Sequence, residues 1–130
     1  MRARAGLAAI CVTILACGGR HDPPPGIIER AGGPERLREG ALAVRSLAPQ
    51  RDGEVIVPKD RWPEAIRRLE PEVVTVDRSG VDVTLNIDTL YSSGVYVPFD
   101  ASHTPRELGH DLSFFRLAPG IYWYRMLMGG

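Results

Sequence analysis

Cysteine is almost missing from this 130-residue chain: two occur, Cys11 and Cys17, both within the first 17 residues. From residue 18 onward there is no disulfide, no thiolate metal site and no thiol nucleophile. Whatever folds there is held by an apolar core alone, even in an oxidising compartment. Lysine is scarcer still, with Lys59 standing alone against fifteen arginines, which reads as coding bias of a GC-rich genome rather than a binding surface. Charge is balanced at 16 basic and 16 acidic residues with no block of one sign, and this argues against nucleic acid as a partner. No apolar run reaches the length of about 20 residues that a helix needs to cross roughly 30 Å of hydrocarbon. The sequence contains no phosphate loop and no dinucleotide fingerprint, and the patterns H-E-x-x-H and G-x-S-x-G are also absent.

What is present begins with an export pattern. Arg2 and Arg4 stand beside the amino terminus, and Ala5 to Leu15 is an uncharged, mostly apolar run of signal-peptide length. At its end stands Ile14-Leu15-Ala16-Cys17. This resembles the lipobox of bacterial lipoproteins, with an aliphatic residue three before the cysteine and a small residue just before it. The resemblance covers residues 1 to 17. It implies removal of residues 1–16, acylation of Cys17, palmitate included, and a cell-envelope location as a lipid-anchored membrane protein. Gly18 carries no inner-membrane retention signal of that family, which favours an outer membrane where one exists. Removing Arg2 and Arg4 would leave 14 basic against 16 acidic residues, a formal charge of −2. Two alternatives stay open: ordinary cleavage after Gly18, giving a secreted or periplasmic protein, or no leader at all.

Residues 17–26 read as the lipidated cysteine and a tether, with Pro23-Pro24-Pro25 as a semi-rigid spacer. Residues 27–130 are long enough for one core and too short for two domains. Pro34-Glu35 opens a helix whose Leu37, Ala41, Val44 and Ala48 recur at helical spacing until Pro49. Asp60 is placed to cap a second helix running through Ile66 to Leu69, with Trp62 packed at its start. Glu54 to Val57 and Val73 to Val76 read as strands. Val81, Val83, Leu85 and Ile87 then alternate with Asp82, Thr84, Asn86 and Asp88. Gly94 to Val97, Ser113 to Leu117 and Ile121 to Leu127 add further strand signals. The expected fold is α+β: a small antiparallel or mixed sheet of about four to five strands, with two short helices on one face.

Candidate sites are few. The loop from His103 to Asp111 gathers His103, His110 and Asp111, groups that in other settings bind zinc or move protons, but at no zinc-binding spacing. Asp82, Thr84, Asn86 and Asp88 alternate onto one strand face, which reads as the wet side of a hairpin, although two carboxylates so placed are also a calcium or glycosidase pattern. Tyr91-Ser92-Ser93-Gly94 offers hydroxyls with no base assignable from sequence. Tyr122, Trp123, Tyr124 and Arg125 form the most aromatic strand and are the chosen binding stripe, because Tyr, Trp and Arg are enriched at binding hot spots. The reading is an envelope-anchored, non-enzymatic binding or accessory module with no cofactor and no metal. Its partners are the membrane, through the anchor, and a protein or other envelope component. A small hydrolase or metal-dependent enzyme using His103, His110 and Asp111 is the rival, and a purely structural envelope protein is the third reading.

Overall fold

The computed structural model describes residues 21–109 and 111–128. Three short helices, α1 (Ile27–Arg30), α2 (Pro34–Ala43) and α3 (Glu64–Arg67), pack beside one sheet. The fold is α+β, as the hydrophobic patterning predicts. The sheet has six strands rather than four to five: β1 (Val55–Ile56), β2 (Val73–Val76), β3 (Gly80–Ile87), β4 (Tyr91–Pro98), β5 (Leu112–Ala118) and β6 (Ile121–Leu127). They run antiparallel throughout in the order β1-β2-β3-β4-β6-β5. The strand expected over Glu54 to Val57 forms only at Val55–Ile56, two exposed residues paired with β2.

Both expected helices form, shorter than their patterns. Pro34 opens α2, and Leu37, Ala41 and Val44 face inward, but the helix ends at Ala43 and its tail tightens to a 3-10 turn at Arg45–Leu47. Asp60 does not cap α3. It lies in a separate 3-10 turn at Lys59–Arg61, and Pro63 occupies the N-cap position. Trp62 sits between the two, buried, with Nε1 donating to the Val57 carbonyl at 3.0 Å. The unexpected α1 is a single turn that buries Ile27.

The core lies between the helices and one face of the sheet. Leu37, Ala41, Val44, Ala65, Ile66 and Leu69 meet Val74, Val76, Val81, Val83, Val95, Val97, Ile121 and Trp123. Alternation alone places that set on one face, because each strand contributes every second residue. Arg38 on α2 ties the layers together at one end, donating to the carbonyls of Pro98 and Gly120 at 2.9 Å and of Phe99 at 3.1 Å. Gly120 has φ +71, and a Cβ there would meet the Arg38 guanidinium at 2.8 Å. Because β6 lies between β4 and β5, residues 99–111 must cross to the outer edge, and this crossing covers part of the second sheet face.

Candidate functional site

The carboxylate row of β3 is divided by a β-bulge. Thr84 pairs with Gly94, but the next pair is Asn86 with Ser93, so Leu85 is an extra residue in the ladder. One inserted residue exchanges the two faces of everything beyond it. Asp82 and Thr84 therefore share the outer face with Tyr96, Gly94 and Tyr124, whereas Asn86 is aligned with Ser93 and Arg125 on the helix-side face. The uniform wet face expected from the alternation is corrected here: Thr84 is buried, and Asp82 keeps only partial exposure.

Asp82, Thr84 and Tyr124 form a closed triangle on the outer face. Thr84 Oγ1 donates to Asp82 Oδ1 at 3.1 Å and lies 2.7 Å from Tyr124 Oη, while the Tyr124 hydroxyl also bonds the Asp82 carboxyl. Gly94 stands between Thr84 and Tyr124 in the register, and its missing side chain lets the phenol reach across. A Cβ at Gly94 would fall 2.1 Å from the Val83 carbonyl oxygen. Burial pushes the Asp82 carboxyl up to about 6, against the hydrogen bonds from Tyr124 and Thr84, with Glu54 and Asp77 adding repulsion. The triangle favours the protonated carboxyl, in line with that rise. With the carboxyl neutral, each of the three groups donates once and accepts once. With it ionised, both hydroxyls point at the carboxylate and the 2.7 Å oxygen contact has no proton. Burial and the neighbouring Asp82 raise the Tyr124 phenol far above its ordinary range, so it stays a donor.

The crossing loop roofs this triangle and leaves a cavity of about 250 Å³. Asp82, Thr75 and Tyr124 lie in it with Tyr96, Phe114, Leu112 and Met126, and Glu54, Asp77, His103 and Arg106 contribute the remaining charge and polarity. Three carboxyl groups against one arginine and one histidine make the lining acidic. The buried Ser92 hydroxyl lies beside the Tyr124 phenol and favours its ionised form slightly, against the larger effects of burial and Asp82.

The aromatic stripe is distributed rather than displayed. Tyr122, Trp123 and Tyr124 are only 8%, 3% and 3% exposed, and Arg125 alone of the four reaches solvent. Trp123 belongs to the core, Tyr124 to the cavity, and Tyr122 packs edge-on against Phe114 at 6.4 Å. Of the histidine loop, His103 reaches the cavity and Asp111 is exposed, while His110 lies outside the described residues, as does Cys17. Among the described residues no three His, Cys, Asp or Glu side chains converge on a point that could hold a metal ion.

A second constellation was invisible in the sequence. His21 of the tether places Nδ1 2.6 Å from Ser93 Oγ and Nε2 2.6 Å from Asp88 Oδ2, and its carbonyl accepts from Trp123 Nε1 at 2.7 Å. The His21 bond, joined by the backbone donors of Tyr91 and Leu90, holds the Asp88 carboxyl well below the usual carboxylate range. The serine, histidine and aspartate are those of a hydrolase, but Ser93 is completely buried and no substrate carbonyl can approach its oxygen. The arrangement is a clasp that fastens the tether to the sheet. The signal that could have found it is thin, one histidine in a proline-rich segment 72 residues from its serine.

No known protein family matches the chain, and no curated protein and no solved structure is significantly similar to it.

Proposed function

We propose that this protein is an envelope lipoprotein held to the membrane through acylated Cys17, with a small α+β domain that acts as a non-enzymatic binding module for an envelope component. The observation that carries the binding role is the roofed cavity at Asp82 and Tyr124, with Thr84 bonded to both behind it. A buried carboxyl poised near neutrality, with hydroxyl donors beside it and aromatic and aliphatic walls, is how a small polar ligand group is oriented. The acidic lining favours a positively charged group, such as a protonated amine, whose charge would draw the proton off Asp82 and whose apolar body would lie against Phe114, Leu112 and Met126. The Ile14 to Cys17 sequence supports the anchor.

Two measurements test the reading. The intact mass of protein extracted from membranes should correspond to a chain beginning at Cys17 with added acyl mass. A chain beginning at Gly19, or at Met1 without lipid, removes the anchor. For the cavity, benzylamine should shift the aromatic NMR signals of Tyr124 and Phe114, more strongly than benzyl alcohol, and Asp82→Asn should abolish the difference. If neither compound moves those signals, the cavity is not a ligand site.

A further inference from the structure

The clasp on His21 determines how much slack the tether has. Four residues along the chain from Cys17, His21 is bonded to Asp88 and Ser93, with its ring 5.7 Å from that of Tyr91. Pro23, Pro24 and Pro25 come after the clasp, so they lie on the domain side of it and add no distance from Cys17. Four extended residues reach at most about 14 Å. The headgroup zone of one leaflet is roughly 6 Å deep. The end of the sheet that carries the clasp must therefore stay close to the surface in which an acylated Cys17 sits.

That end is apolar. Ile87, Ser92, Met126 and Leu112 occupy one register row across β3, β4, β6 and β5, and Leu108 forms a bridge to Leu112. Leu90 tips the β3–β4 turn and accepts from the Met128 amide through its carbonyl. Leu90 and Leu108 are each 59% exposed, and Ile87 and Met126 are exposed beside them. Ile56 and Phe115 are more exposed than any of these, but Ile56 lies with Val55 on the edge strand β1 and Phe115 lies in the middle of the other edge strand, β5. Tyr91, with the Arg125 guanidinium 6.0 Å above its ring, flanks the same end, and this pairing of amphipathic ring and snorkelling cation suits a headgroup layer.

We infer that the sheet end bearing Ile87, Leu90, Leu108 and Met126 rests on the lipid bilayer, held there by the clasp of His21 on Asp88 and Ser93. The inference rests on the acylation of Cys17 proposed above and adds the face that the domain turns to the membrane. In this orientation the β2–β3 turn at Arg78, at the opposite end of the strands, points into the aqueous space.

The test uses the full chain, expressed with its leader, purified from membranes and reconstituted in vesicles of phosphatidylethanolamine and phosphatidylglycerol. Nitroxide labels are placed on Leu90→Cys, Leu108→Cys and Arg78→Cys. Acylation of Cys17 and loss of Cys11 with the leader leave the introduced thiol as the reactive one. The ratio of collisions with oxygen to collisions with a water-soluble nickel complex should be several-fold higher at positions 90 and 108 than at 78. Adding His21→Ala to Leu90→Cys should move its ratio toward that of position 78. Acylated, vesicle-bound protein with equally aqueous labels at all three positions overturns the orientation and leaves the anchor standing. Labels at 90 and 108 shielded from both reagents overturn it in favour of a protein partner or a second copy. Protein that carries no acyl mass and does not float with the vesicles overturns the anchor and this inference together.

Discussion

Replacing Asp82 by asparagine tests whether the cavity raises its carboxyl above the ordinary aspartate range. The folded value of about 6 lies roughly two units above the ordinary 3.8. At about 1.36 kcal/mol per unit, the ceiling on the effect is about 3 kcal/mol. Water reaching the carboxyl through the cavity lowers this, so a change of about 1–3 kcal/mol is expected. The sign follows from which state holds the proton more tightly. The folded carboxyl does, so its contribution to stability is fully present below about pH 4 and is lost as the pH rises through about 6. The asparagine amide has no proton to lose. The stability difference between variant and wild type should therefore stay flat below about pH 4 and then grow in favour of Asp82→Asn by about 1–3 kcal/mol up to about pH 7.5. Urea unfolding at a series of pH values, followed by the fluorescence of the buried Trp62 and Trp123, measures it directly. Stability curves for the two proteins that run parallel across the whole window would refute the account of Asp82.

Three other perturbations follow from the same geometry. Gly94→Ala drives a methyl group into the Val83 carbonyl and should cost about 2–4 kcal/mol in urea unfolding, and wild-type stability would mean the strands do not approach that closely. Ser92→Ala removes a buried hydroxyl whose polar neighbour is the Tyr124 phenol, so urea unfolding should show a loss of no more than about 1.5 kcal/mol, and a larger loss would mean that Ser92 holds more than that one contact. His21→Ala removes the group that does most to lower the Asp88 pKa. In wild type the stability from Asp88 is present above the ordinary aspartate range and fades as the pH falls through its lowered folded value. The variant should therefore lose less stability on acidification, and its amide exchange should rise at Ser93 and Tyr91. Unchanged exchange at both positions would show that the clasp does not hold in solution.

Local periodicity is enough to specify the fold class and the valine and helix-side part of the core. Val74, Val76, Val81, Val83, Val95 and Val97 are β-branched residues at every second position, and Leu37, Ala41 and Val44 recur at helical spacing, so each element could bury only one side. Those periodicities are local, which is why they are legible without neighbours. The division of the aspartate row was not legible, because a bulge is a relation between two strands, and nothing in Asp82-Val83-Thr84-Leu85-Asn86 marks Leu85 as the extra residue. The burial of Tyr122, Trp123 and Tyr124 was equally hidden. Alternation shows that neighbouring residues face opposite sides, but not that helices cover one side and the 99–111 crossing roofs part of the other. The cavity and the clasp are the work of tertiary structure alone. Both depend on groups far apart in the chain, Asp82 with Tyr124 and His21 with Ser93, and the free energy of such contacts has no signature in the spacing of either residue.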